Sequence, residues 1–397
     1  MKDEAYKLLL ENRRITGGRQ YTVPSPERYP YQWLWDSCFH AIVLSHFEID
    51  AAKEELRSLV YHQFDNGMIP HVIYWEHNGP LRENLQVRIK KGSEEVSTIT
   101  QPPLAAEAVW RIFEKSGDRN FLREMYPHLC AFYRYLLTER DPRGNNLVSI
   151  VNPYESGEDN SPRFDKPLGL EPRQPIDEEN YKRRNELIEK SFEEYIRRAD
   201  VMKEWFWVKD VPFNSYVVKN LGTLSLIAGK LGMGEKSREW AESAKKVGEA
   251  MRKRMFENGI FWSTYDEDYK KIYVKTWGIF APLYANLYTP EEAGEIVKMH
   301  LLNREEFRAE YMVPTVSRSE PSYNPSGYWR GPVWIAVNWF IYRGLKNYGF
   351  EKEAEMIKES SRKLIEENGF REYFNPETGE GLGAHNFTWG ALIVDMV

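Results

Sequence analysis

Cysteine is nearly missing from this chain. Cys38 and Cys130 are the two thiols in 397 residues, both in apolar helical surroundings and neither at a metal or redox spacing. That excludes a disulfide framework and predicts two buried thiols. Histidine is scarce too, with eight, and His40 and His46 stand six apart on one helix, which is no ligand spacing; neither a metal nor a cofactor is expected. Charge of one sign is not in excess: 54 basic residues are mixed with 60 acidic ones, a net charge of -6, which leaves no basic footprint for nucleic acid. Long hydrophobic runs are lacking as well. The longest, Val333 to Tyr342, is too short to span a bilayer, and the opening MKDEAYKLLLENRR has no apolar core of a secretory signal. A soluble, cytoplasmic protein without membrane or nucleic-acid partners is expected; its oligomeric state is not legible. No Pro/Gly/Ser linker divides residues 1–397, so the chain reads as one domain.

Aromatic residues, by contrast, are abundant: 14% of the chain, with 13 Trp and 24 Tyr. Either they form a large aromatic core, or some are platforms for a planar or sugar-like ligand.

Helical periodicity recurs in pairs. An opening helix spans residues 2–14. Helices 36–47 and 50–64 are joined almost without a loop, and a pair follows from Gln101-Pro102-Pro103 to Arg140 with its turn at Ser116-Gly117-Asp118. Residues 213–231 and 235–256 make a third pair. A fourth has its second helix announced by Thr289-Pro290-Glu291-Glu292, a capping box with proline at the first helical position. A fifth covers 332–348 and 351–367. The last helix, 386–397, has no successor and the first has no predecessor, so the two can pair and close a ring. Connections within pairs are short; those between pairs are long, aromatic and rich in Gly and Pro. This predicts an all-α (α/α)6 barrel whose long loops gather at one end, with a superhelical array of hairpins as the rival. Short strands are expected within 258–277. A charged patch, Arg82 to Glu95, is expected to be mobile, and the charged segment 177–203 to form one or two exposed lid helices.

The stretch SIVNPYESGEDNSPRFD, from Ser149 to Asp165, is an acidic loop between helices, where structureless segments are usually kept for function. Asp159, between Gly157 and Asn160, is the candidate acid; a solvated loop tip for Glu155, Glu158 and Asp159 is the other reading. Further polar and aromatic residues concentrate in the other long connections: Tyr31, Trp33, Trp35 and Asp36 in the first, Tyr328, Trp329 and Arg330 in the fifth, and Glu372, Tyr373, Asn375, Glu377 and Glu380 in the last. Distant carboxylates converging on one cavity beside indoles suit glycoside hydrolysis, where one carboxylic acid protonates the leaving oxygen and a second attacks or activates water. Singly, each has a plain reading: Trp33 and Trp35 as core, Asp36 as the cap of the helix it precedes, Arg330 as a surface ion pair.

Four motifs, YPYQWLWDSCFHA (29–41), NPYESGEDNSPRFD (152–165), YWRGPVW (328–334) and EYFNPETGEGLGAHNFTWG (372–390), together resemble glycoside hydrolase family 63, especially its small bacterial branch acting on mannosylglycerate and glucosylglycerate. The resemblance implies an inverting α-glycosidase with Asp159 as general acid and Glu372 as base, Glu380 being the runner-up base. It also implies a sugar pocket of Tyr31, Trp35, Asp36, Gln101, Trp329, Arg330 and Trp389. Residues 78–96 and 166–210 match no family motif and are expected to be lid insertions that shape the aglycone site. A glycerate carboxylate would need a cation, for which Arg163, Lys166 and Lys275 are the candidates. An α-glucosidase on gluco-oligosaccharides such as kojibiose and a non-catalytic carbohydrate-binding protein are the alternatives. An epimerase or lyase would want histidines that the long connections mostly lack.

Overall fold

The computed structural model describes residues 1–75, 88–197 and 206–397. Among the described residues, twelve α-helices carry the architecture: α1 Lys2–Asn12, α2 Leu34–Leu44, α3 Ile49–Tyr61, α4 Ala105–Ser116, α5 Arg119–Glu139, α6 Asp177–Arg197, α7 Val211–Lys230, α8 Gly234–Arg254, α9 Ala281–Tyr284, α10 Pro290–Ile296, α11 Ile335–Asn347 and α12 Glu351–Asn368. Burial sorts most of them into two rings. Every residue of α2 is buried, and most of α7 and α11 are, whereas α8 buries Trp240, Val247 and Met251 alone. A helix apolar all round must sit inside, and one with a narrow stripe must lie outside it.

Contacts complete the inner ring. The sequence α2, α4, α7, α9, α11 returns to α2 through the 3-10 segment Thr388–Asp395, against which α1 packs from outside. The (α/α)6 barrel is therefore closed by its termini, and the superhelical array is excluded. Pairing follows local signals. Gly117, at φ +67, ends α4, and the Asp118 carboxylate caps α5 by accepting from the Asn120 and Phe121 amides. Thr289 and Glu292 form the expected capping box of α10.

Two elements of the ring depart from helical expectation. The final segment is 3-10, and α9 is a single turn preceded by the 3-10 stretch Trp277–Phe280. Both are buried throughout, so packing on all sides fixes their path more than helix propensity does. A carboxylate secures the closure: Asp395 accepts from His46 beyond α2 at 2.8 Å, from Arg111 of α4 at 2.6 Å and from Trp339 of α11 at 3.0 Å.

Among the described residues, strands appear only in the connections. Short hairpins lie at Phe256–Glu257 with Ile260–Phe261 and at Thr264–Tyr265 with Lys270–Lys271, all but the first strand inside the interval 258–277 expected to hold strands. Part of the charged patch expected to be mobile is ordered: Arg88–Lys91 pairs with Glu94–Ser97, and Glu94–Ser97 pairs with Val72–Tyr74, which pairs with Gln32–Trp33. Backbone pairing overrides the charge of the segment there. Residues 82–87 of that patch, and 198–205 of the second insertion, lie outside the described residues. Within the second insertion, Asp177 to Arg197 is one helix, α6. Among the described residues, no helix is long and apolar enough to cross a membrane.

Candidate active site

Because the long connections precede inner helices, they gather at one end of the barrel and surround a cavity of about 300 Å³. That size lies at the small end of ligand pockets, roughly 300–1,000 Å³. Asp159 and Glu372 both line it, together with Tyr31, Trp35, Asp36, Gln101, Trp329 and Trp389.

The acidic loop separates its three carboxylates by burial. Glu155 is enclosed by Arg140 in two contacts of 2.8 and 2.6 Å and accepts from the Thr100 and Val151 amides. Glu158 is held by Arg163 at 2.6 and 2.8 Å and by the Trp277 indole. Their lone pairs are spent on structure. Asp159 alone of the three reaches the cavity, its side chain 22% exposed. Gly157, at φ +74, turns the loop there, where a Cβ would collide with the Trp35 ring.

Glu372 lies on the hairpin Arg371–Phe374 with Gly381–His385, where the register shifts at its position. Such a bulge re-aims a side chain. Its carboxylate accepts from Tyr29 Oη at 2.6 Å and from the Ala384 amide at 2.7 Å, with Arg28 Nε at 3.8 Å. Gly383 leaves no Cβ to collide with that carboxylate. Tyr328 lies near both acids: burial first, then the charges of Tyr29, Asp159 and Glu372, push its phenol well above the ordinary range.

Indoles and phenols make the walls. Trp329 and Trp334 stack at 4.0 Å and 4°, and Tyr373 continues the stack against Trp334 at 4.9 Å. Trp35 meets Trp389 edge-on at 4.9 Å. Trp33 and Trp35 thus serve both core and wall. The indole N–H groups of Trp33 and Trp329 are buried without a hydrogen-bond partner among the described residues. Unsatisfied donors lining a cavity are poised for ligand hydroxyls. His71 joins them as a neutral ring, burial taking its pKa down to about 3.

Asp36 is not the cap of α2, which begins at Leu34; it sits in the first turn and accepts from Trp389 Nε1 at 2.6 Å. Burial raises its pKa to about 6, against the pull of His40 and Trp389. A raised acid pKa stabilises the fold fully below the unfolded value, and this contribution is lost as pH climbs through about 6. Asp36→Asn removes that dependence and keeps an acceptor for Trp389. Denaturant titrations should therefore show the variant gaining about 2 kcal/mol on wild type between pH 4.5 and 7.5. An unchanged gap would mean that Asp36 is not held in this state.

Several expectations are corrected. Arg330 is fully buried behind the wall, bound to Asp165 at 3.1 and 2.6 Å and to the Asn160 carbonyl at 3.0 Å, so it braces the acidic loop and is absent from the cavity lining. Glu380 is exposed on the far part of its hairpin, while Glu377 accepts from Arg318 and Tyr323. Of the candidate cations, Arg163 is taken by Glu158 and Asp210, Lys275 by Glu306, and Lys166 is exposed outside the cavity. Among the described residues, the cations that line it are Arg28 and Arg184. Arg184 comes from α6, whose buried face includes Asn180 and Leu187 and which also brings Tyr181 to the cavity. Arg184 Nε donates to Asn180 Oδ1 at 2.8 Å, the guanidinium lies 4.9 Å over the Tyr154 ring, and Nη1 is 3.8 Å from Asp159 Oδ2. Sequence reasoning missed it because one arginine in a helix full of charges gives no signal of its own; the i, i+4 pair Asn180 and Arg184 between Ile176 and Leu187 is the faint trace. Among the described residues no group of three or more His, Cys, Asp or Glu is gathered as a metal site.

Residues 29–390 match the family model described as the mannosylglycerate hydrolase MGH1-like glycoside hydrolase domain. The chain is 34% identical to the mannosylglycerate hydrolase of Thermus thermophilus, over 94% of this chain and 95% of that protein. It is 26% identical to the glucosylglycerate hydrolase of Mycolicibacterium hassiacum, over 94% and 93%. The crystal structure of a family 63 mannosylglycerate hydrolase from Thermus thermophilus in complex with Tris and D-glycerate superposes with a TM-score of 0.88 at 33% identity, covering 100% of this chain and 99% of that one.

Proposed function

Since the chain belongs to the mannosylglycerate hydrolase MGH1-like branch of glycoside hydrolase family 63, an inverting family, we propose that it hydrolyses a mannosyl or glucosyl α-glycoside of D-glycerate. In this reading the whole chain works as one catalytic domain, in the cytoplasm. Glu372 takes a proton from a water that attacks the anomeric carbon, while Asp159 gives its proton to the glycosidic oxygen as the C–O bond breaks. Sugar and glycerate leave, and the anomeric centre is inverted. Room for the water requires the two carboxyl groups to stand roughly 6.5–9.5 Å apart.

The observation that carries the proposal is the unequal exposure of the two acids facing one small aromatic cavity. A tyrosine, a backbone amide and an arginine hold the Glu372 carboxylate, 1% exposed, in place as a base, and Asp159, at 22%, is the more open. The indole walls suit the C–H faces of one sugar ring, and Asp36 and Gln101 offer acceptors for its hydroxyls. A cation on the side of the acid suits a carboxylate on the leaving group, since that is where the aglycone departs. Kojibiose, with a neutral aglycone, has no use for it.

The test is a screen of mannosylglycerate, glucosylglycerate and kojibiose with the released sugar followed by NMR. A β-anomer appearing first, with a glycerate compound preferred by kcat/KM, is expected. First appearance of the α-anomer refutes inversion, and a preference for kojibiose refutes the aglycone.

A further inference from the structure

The position of Arg184 conflicts with the chemistry asked of Asp159. A general acid must hold a proton at the working pH, yet a guanidinium 3.8 Å from its carboxyl favours the ionised form. Glu372 shows what such a partner is good for: Arg28 beside it suits a base. On the acid, the same arrangement is counterproductive unless the cation acquires another anion when substrate arrives.

Resting on the function proposed above, we infer that Arg184 is an exchange partner: it pairs with Asp159 in the empty site and transfers to the carboxylate of the aglycone, so that Asp159 takes up from solvent the proton it then donates. The fixed part of Arg184 is its Nε, held by Asn180, and Asn180 is in turn held by Asp165, which Arg330 binds. Nη1, at 3.8 Å, is within ion-pair reach of Asp159 and too far for a hydrogen bond, so it can turn to a stronger acceptor without dismantling that chain. Among the described residues, the other charged groups lining the cavity have their own partners: Arg28 faces Glu372, and Asp36 is turned onto Trp389. Around them are the phenols of Tyr154, Tyr181 and Tyr328 and the neutral imidazole of His71. Selectivity for an anionic aglycone thereby acts on the chemical step as well as on binding. The protons balance: one enters from solvent on binding, leaves on the glycosidic oxygen, and is matched by the one Glu372 takes from water.

D-Glycerate itself is the probe. Calorimetric titration near pH 7 in two buffers of different ionisation enthalpy should show proton uptake on binding, lost in Asp159→Asn. In turnover, the alkaline limb of kcat should lie about one pH unit or more above that of kcat/KM for the glycerate glycoside, because the acid is freed only in the complex. For uncharged α-glucosylglycerol the two limbs should coincide. Arg184→Gln should raise the alkaline limb of kcat/KM and erase the difference, which a merely structural role would not do. Glycerate binding without proton uptake, or coincident limbs for the charged substrate, overturns the exchange and leaves the proposed hydrolase standing. Failure of the protein to bind glycerate or turn over its glycosides removes both. The comparison of two substrates on the wild-type protein needs no variant to fold.

Discussion

Asp159→Asn should lower kcat on the preferred glycerate glycoside by about 10²–10⁴-fold while sugar affinity stays within a few-fold, and Glu372→Gln should do the same. Both substitutions keep shape and remove proton transfer, so the loss falls on the transition state. A substrate that needs no protonated leaving group separates the two roles. With an α-glycosyl fluoride, Asp159→Asn should regain most of its activity, because fluoride departs unaided, whereas Glu372→Gln should stay slow, because water still needs its base. Rescue of the Glu372 variant in place of the Asp159 variant would reverse the assignment. A carbohydrate-binding protein without chemistry would show no turnover to lose.

The second large effect concerns Arg330. Removing it as Arg330→Ala should cost about 3–5 kcal/mol of stability, because Asp165 would be left buried without its ion partner. A residue gripping sugar from the cavity wall would instead raise KM with little change in stability. Denaturant unfolding of Arg330→Ala, Asp165→Leu and the double variant resolves the pair: the double should lie well above the sum of the singles, since replacing both charges removes the uncompensated one. Strict additivity would show that the two side chains are not coupled. Because Arg330 also holds the Asn160 carbonyl, and Asn160 adjoins Asp159, surviving activity in the variants should fall through kcat.

The ring of hairpins was legible because its signals are local. Apolar stripes at helical spacing, the capping box at Thr289 and the turn at Gly117-Asp118 act within a few residues of one another. The closing segment is a 3-10 helix, shorter than the helix expected over 386–397, because its path is set by Asp395 reaching His46, Arg111 and Trp339, all distant in the chain. The same limit governs the site. Glu155, Glu158 and Asp159 are alike as sequence: the turn context made Asp159 the candidate acid, but it left a solvated loop tip open for all three until the motif resemblance was added. What withdraws the first two from the cavity is Arg140 for one and Arg163 with Trp277 for the other.

By itself, then, the sequence determined the alternation of helices, the end at which the long loops meet, and the kinds of side chain those loops bring, since propensity, capping and periodicity are properties of neighbours. Which carboxylates stay open to the cavity, that Arg330 is a brace, and that Arg184 is the cation beside Asp159 were decided by tertiary structure alone. Burial and ion pairing depend on groups remote in the chain, and a charge becomes structural or reactive only when its neighbours in space are fixed.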